Sequence, residues 1–364
     1  MRWSLALLLV IAAPLVQAQD VGSATVIPIQ VTGDDASRFT MVVLGDGYTA
    51  AEQAKFRAHL DRHLNILWSI EPFRSYRNYF NVYAVSIVSG ESGIHCDPEV
   101  RERRTTPLML QFGGGCTNIN ARGVTVRQGG QPVVQEYAQR ATPAPDQILI
   151  IANSDTYGGI GGRIATTTGG NAISPLITPH ELGHSLGGLT DEYTYSARGR
   201  AGDIYDRADE PAAIHMTLLT EDQMRTRPLK WWRWLGEPSE SGGRIGRYEG
   251  GMGNTRGVWR PSKHSMMISL GYYFDQVSLE RMTERIAERT GMIAAATSTD
   301  APVGRRDTLW VTTAHPVYHR LDIAWTTGGR GVPTARNRPY LDLSSLELAA
   351  GEQVVTVTVI DDTP

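Results

Sequence analysis

His180 and His184 stand four residues apart, with Glu181 directly after the first of them, in the run His-Glu-Leu-Gly-His. On an α-helix, side chains at i and i+4 share one face, so two imidazoles at this spacing can grip one Zn²⁺ ion. The carboxylate beside them can take a proton from a water held there. That is the chemistry behind the HExxH pattern. The surroundings are apolar: Ser174-Pro175-Leu176-Ile177 precede the run, and Leu182, Leu186 and Leu189 interleave it. Two histidines and a glutamate in such a helix need a reason to be buried. A zinc site supplies one; a chance surface pattern with two solvated histidines does not.

A catalytic zinc takes three protein ligands and keeps a position open for water. Gly187-Gly188 can stop the helix and turn the chain back, and Asp191 and Glu192 follow as oxygen donors. In metzincin proteases a glycine ends the helix and the third ligand, His or Asp, comes three residues later. Gly188-Leu189-Thr190-Asp191 has that spacing, with one extra residue between the second histidine and the glycine. Asp191 is the first candidate and Glu192 the second; whichever is left over reads as a turn carboxylate or an acceptor for an imidazole N–H. Tyr193 either steadies an oxyanion or packs as a core aromatic. Further along, Ser262-Lys263-His264-Ser265-Met266-Met267 fits a methionine turn, in which Met266 or Met267 forms a packing floor under the histidine rings. His264 itself reads as a surface or core histidine. His59 and His63 are also four apart, but no glutamate lies between them and Asp61-Arg62 suggests a solvated face. Gly158-Gly159-Ile160-Gly161-Gly162 lacks the Lys-Ser/Thr of a phosphate loop and reads better as an edge strand able to pair with an extended peptide.

The elements that must position these residues follow from pattern. A short strand is expected at 24–31 and an apolar strand at 40–45, ending in the turn Gly45-Asp46-Gly47-Tyr48. Thr49 then caps a helix running to about Trp68, with Glu52 completing a capping box. Strands are expected at 80–88 and 147–152, and the HExxH helix comes after the glycine-rich run. This order predicts an α/β fold with a mixed sheet. Residues 89–130 read as loops. A long connection, 194–262, carries Trp231, Trp232, Trp234 and the glycine run 242–257; long ordered loops tend to be functional. A helix over 275–292 presents Val277, Met282 and Ile286. From about 300 the pattern alternates (Leu309, Val311, Thr313; Leu321, Ile323, Trp325; Val354 to Ile360), as in a small β-sandwich.

Arg2, the apolar stretch from Leu5 through Leu15, and the small-residue site Val16-Gln17-Ala18 read as a secretory signal, residues 1–18, with the mature chain starting at Gln19. The stretch is too short for a stable span and no other run reaches transmembrane length. The expectation is export, either secreted or periplasmic. The remainder is long enough for a large core and two domains: 19–298 carrying the site, and 299–364 as the β-module. The formal net charge of −3, with no basic block, points away from nucleic acid and membrane surfaces. The 38 glycines and 19 prolines favour a loop-rich enzyme over a helical bundle. The chain has two cysteines, Cys96 and Cys116. In an exported chain an isolated pair reads as one disulfide, closing a loop worth roughly 3 kcal/mol in the chain-entropy model.

These pieces together resemble the IgA peptidase family of secreted bacterial zinc peptidases. The matching segments are Val43-Leu44-Gly45-Asp46-Gly47-Tyr48-Thr49, Phe80-Asn81-Val82-Tyr83-Ala84-Val85, Glu91-Ser92-Gly93, Asn153-Ser154 with Tyr157-Gly158-Gly159, His180-Glu181 through Asp191-Glu192-Tyr193, and Arg260-Pro261-Ser262 through Met266-Met267. The resemblance spans about residues 39–298, and the C-terminal β-module is similar to one the family often carries. It implies a metzincin-like zinc metallopeptidase domain and a protein or peptide substrate, glycoproteins included. It does not extend an immunoglobulin substrate to this chain, and the extra N-terminal β-domain of some members is missing. The expected function is zinc-dependent endopeptidase, with His180, His184 and Asp191 on the metal, Glu181 as general base and Tyr193 beside them. The alternative is a non-catalytic surface or glycan-binding protein on a metallopeptidase fold. The intact His-Glu-His set argues against it.

Overall fold

A computed structural model describes residues 20–195 and 203–362; the expected signal segment lies outside the described residues. The first half of the chain builds one six-stranded mixed sheet. In chain order it contains β1 (Ala24–Gln30), β2 (Phe39–Asp46), α1 (Gln53–Leu67), β3 (Phe80–Ile87), β4 (Leu110–Phe112), β5 (Val124–Val126), α2 (Gln131–Gln139), β6 (Gln147–Ala152), β7 (Gly159–Ile160), β8 (Ile164–Thr168) and α3 (Ile177–Ser185). The sheet order is β1-β3-β2-β6-β8-β7. Strands β3, β2, β6 and β8 run parallel, while β1 and β7 are antiparallel edges. The α/β expectation with a mixed sheet agrees with this architecture.

Strands β2 and β6 are buried along their whole length, as in a sheet covered on both faces. Their side chains alternate between two cores. Met41, Val43, Leu149 and Ile151 face the layer of α1, α3 and α5 (Gln276–Arg289), where they meet Phe56, Leu60, Leu182 and Ile286. Val42, Leu44, Ile148 and Ile150 face α2 and the β4–β5 hairpin, where they meet Val134, Phe112 and Val124. Thr49 and Glu52 form the expected capping box, with Thr49 N–H donating to Glu52 Oε2 at 3.0 Å; a 3-10 turn, Ala50–Glu52, precedes α1. The motif segments away from HExxH tie strand ends together. Asp46 accepts from Leu108 and Leu110 N–H at 3.1 Å each, and Asn153 Nδ2 donates to Gly47 O at 2.8 Å.

The region read as the solvated side of α1 is different in the fold. His63 is fully buried, on the same stripe as Phe56, Leu60, Leu64 and Leu67, and its Nδ1 lies 2.8 Å from Thr178 Oγ1. Burial, reinforced by Arg62, lowers its pKa to about 3. It is a packed neutral histidine that joins α1 to the start of α3.

Beyond α3 come β9 (Asp203–Ile204), α4 (Glu221–Thr226), β10 (Tyr248–Gly251) and β11 (Asn254–Arg260); β9, β10 and β11 form a three-stranded sheet. Trp231 is buried here with Met224, Leu235, Ile245 and Val277. The C-terminal part holds β12 (Ile293–Ala296), β13 (Thr308–Thr313), β14 (Asp322–Thr327), β15 (Arg330–Gly331), β16 (Tyr340–Asp342) and β17 (Val355–Ile360). They form two three-stranded sheets, β12-β13-β16 and β15-β14-β17, that share one apolar cluster including Leu309, Val311, Ile323, Trp325 and Leu341. Tyr76 Oη donates to Asp361 Oδ2 at 3.0 Å, linking this part to the first half. No helix among the described residues is long and apolar enough to cross a membrane.

Candidate metal centre

Helix α3 is short and buried from Ile177 through Gly183. Pro175 in the preceding turn suits a helix start, because its missing N–H is not needed there. The helix ends at Ser185; the turn after it closes at Gly188, whose φ of +62° favours glycine, and Leu189 N–H returns to Gly183 O at 3.1 Å. The reversed segment is then pinned on both sides. Glu192 N–H donates to Met267 O at 2.8 Å, Met252 N–H to Asp191 O at 2.8 Å, and Gly253 N–H to Tyr193 O at 3.1 Å. The glycine-rich run in the long connection thus holds the backbone of residues 191–193 in place.

This brings Asp191 back over the helix. Its Oδ1 lies 3.2 Å from His180 Nε2 and 3.3 Å from His184 Nε2. The two rings stand at right angles, with centroids 4.9 Å apart. His180 Nδ1 is 2.9 Å from Met266 O, and His184 Nδ1 is 2.8 Å from Leu189 O. A carbonyl only accepts, so each Nδ1 carries the hydrogen and each neutral ring presents its Nε2 lone pair to Asp191. Three lone-pair donors crowded together repel one another unless a cation or protons sit among them. A tetrahedral zinc with bonds of about 2.0–2.1 Å separates its ligand atoms by roughly 3.3 Å, which both measured distances match. The donor set and spacing fit a zinc ion.

Titration of the histidine–carboxylate set tells the same story from the other side. Burial opposes charge on His184, yet the hydrogen bond and charge of Asp191 outweigh it and raise the pKa to about 8. Burial alone would raise Asp191, but the hydrogen bonds from His180 and His184 hold it well below the usual carboxylate range. Without a metal, His184 holds a proton at neutral pH beside the Asp191 carboxylate.

Glu181 is 7% exposed and points into the same space, its Oε2 4.0 Å from His184 Nε2. His180, Glu181 and His184 form a group whose donor atoms could hold a metal ion. Tyr193 lines the cleft and hydrogen-bonds Asp191. Glu192 turns the opposite way and is fully buried. Burial first, then the neighbouring charge of Asp275, pushes its pKa well up, while Asp275 caps α5 by accepting from Val277 and Ser278 N–H at 3.0 Å each. Met267 packs against Gly183, where an added Cβ would come 2.7 Å from its Sδ, and Met266 contributes its carbonyl to His180. Cys96 and Cys116 form the expected disulfide.

The histidines and Glu181 floor an open cleft of about 510 Å³. One wall is Tyr157 with the β7 segment, Gly159 to Gly162; the opposite wall is Ile268 to Leu270. Sequence reasoning missed the role of Gly161. A Cβ there would come 2.5 Å from Glu181 Oε2 and 2.7 Å from His184 Cδ2. Gly161→Ala should therefore displace the carboxylate and the ring together. We expect at least a tenfold loss of hydrolytic rate, about 1.4 kcal/mol, with little change in melting temperature. An unchanged rate would mean that Gly161 does not set the position of Glu181.

A family model described as IgA Peptidase M64 matches residues 27–240, a span that contains His180, Glu181, His184, Asp191 and Tyr193. No curated protein matches the chain.

Proposed function

Because this chain belongs to the IgA peptidase M64 family, a peptidase family, we propose that it is a secreted zinc endopeptidase acting on protein or peptide substrates. The observation that carries this reading is the convergence of His180 Nε2, His184 Nε2 and Asp191 Oδ1, at 3.2 and 3.3 Å, on the floor of an open cleft beside Glu181. His180, His184 and Asp191 would hold the ion. When bound, zinc lowers the pKa of a water to near neutrality and polarises the scissile carbonyl. Glu181 takes the proton of the attacking water and passes it to the leaving amine. Tyr193 holds Asp191 through the hydrogen bond from its hydroxyl; that single proton, turned from the carboxylate to the substrate, would steady the developing oxyanion. Met266 O and Leu189 O fix the tautomers, so that both Nε2 atoms face the ion.

The same reading covers the rest of the chain. Residues 1–18 act as an export signal, which suits a disulfide-bonded product. Residues 19–298 form a metzincin-like catalytic domain, and residues 299–364 a β-sandwich module attached to it. The mature protein should carry about one zinc per chain, measured by elemental analysis on purified protein. No zinc, both as isolated and after incubation with a zinc salt, would overturn the metal assignment.

A further inference from the structure

Among the described residues that line the cleft, Arg122 is the single arginine or lysine. The rest of the two walls is neutral: Tyr157, Ile160, Ile268, Ser269, Leu270 and glycines. The two carboxylates of the cleft, Glu181 and Asp191, lie on its floor and belong to the metal centre. Arg122 sits in the loop between β4 and β5, the loop that the Cys96–Cys116 disulfide ties down. Its backbone carbonyl accepts from Gly159 N–H at 3.0 Å, so the residue is fixed to the start of β7 on the cleft wall. Its Nη1 donates to Ala121 O at 2.7 Å and Ile119 O at 3.4 Å. These bonds use one nitrogen of the guanidinium fork. Among the described residues no carboxylate lies within ion-pair distance of it.

Arg122 is exposed, and a guanidinium without an internal counter-ion and with donors to spare suits a carboxylate. We propose that Arg122 is a specificity-determining residue that selects substrates with an acidic side chain close to the bond that is cut. The substrate class is acidic peptide segments. The chain's net charge of −3 gives such segments no general attraction, so the preference must be local. A charge-assisted hydrogen bond from an exposed arginine at an open cleft should give about a threefold preference. The inference rests on the peptidase reading for its substrate.

The test uses neutral octapeptides carrying one Glu, or one Gln, at each position in turn. The wild-type protein should cut one Glu peptide about threefold faster than its Gln twin, as kcat/KM, and that ratio should shrink as salt is raised. In Arg122→Gln the ratio should fall to near one, and in Arg122→Glu a Lys peptide should overtake the Glu peptide. Ratios within one protein sample are insensitive to the fraction that is folded. Equilibrium binding of the same peptides to zinc-loaded Glu181→Gln gives a second readout that needs no turnover. A wild-type ratio near one at every position in both readouts overturns the proposal, as does a preference that survives Arg122→Gln. Binding preference without any cleavage would support Arg122 while overturning the peptidase reading, and neither cleavage nor preference would overturn both.

Discussion

Glu181→Gln should keep its zinc and lose at least about a hundredfold in turnover. The substitution preserves size and much of the hydrogen bonding but removes the base. Glu181 lies at the cleft floor, with Oε2 4.0 Å from His184 Nε2, close enough to the ion's position to serve a water there. The cleft's other carboxylate, Asp191, is held between two histidines and is not free to accept a proton. Among the described residues of the lining nothing else can take over the role at neutral pH except a histidine, and both histidines there are proposed ligands. Steady-state rates on a protein substrate, measured beside zinc content, check this. Retained activity in zinc-loaded Glu181→Gln would place the base elsewhere.

The second large effect separates two adjacent acids. Asp191→Ala removes the oxygen that both Nε2 atoms face, and zinc affinity should fall by more than about a hundredfold, beyond the range seen when an outer partner of a ligand is lost. Glu192→Ala should leave zinc binding nearly intact. Its cost falls on folding, because Glu192 is buried against Asp275 and near Arg260, and removing one member of a buried polar cluster leaves the others poorly compensated. Competition with a chromophoric zinc chelator gives the affinities, and thermal melts give the stabilities. The reverse pattern, zinc loss in Glu192→Ala and not in Asp191→Ala, would move the third ligand by one residue.

Much of this was legible in the chain itself because local pattern and tertiary role coincide. The capping box at Thr49–Glu52, the apolar strands β2 and β6, and the His-Glu-His helix are signals carried within a few residues. Other elements escaped for physical reasons. Strand β8, Ile-Ala-Thr-Thr-Thr, is almost fully buried, but its threonines are made tolerable inside by partners far along the chain, such as Val124 O for Thr166 Oγ1 at 2.6 Å. Helix α2 has only nine residues, and its buried positions are Val134, Tyr137 and Ala138, too brief a period to stand out. The polar neighbours Asp61 and Arg62 make His63 read as solvated, while its own place on the Phe56–Leu60–Leu67 stripe decides its burial. Spacing left Asp191 and Glu192 as alternatives. A left-handed Gly188 and three backbone hydrogen bonds orient them to opposite sides, and no sequence rule carries that. Arg122 and Gly161 matter through where two loops meet, which is a property of the fold alone.

The central claim is that zinc held in this centre cuts peptide bonds inside proteins. The direct measurement is a digest of a protein substrate by the purified mature chain, before and after removal of metal with a chelator and after return of one equivalent of zinc, with product termini read by mass spectrometry. The account predicts internal cuts that stop on chelation and resume with zinc. Cuts that continue in the metal-free protein, or no cuts by the zinc-loaded one, would contradict it.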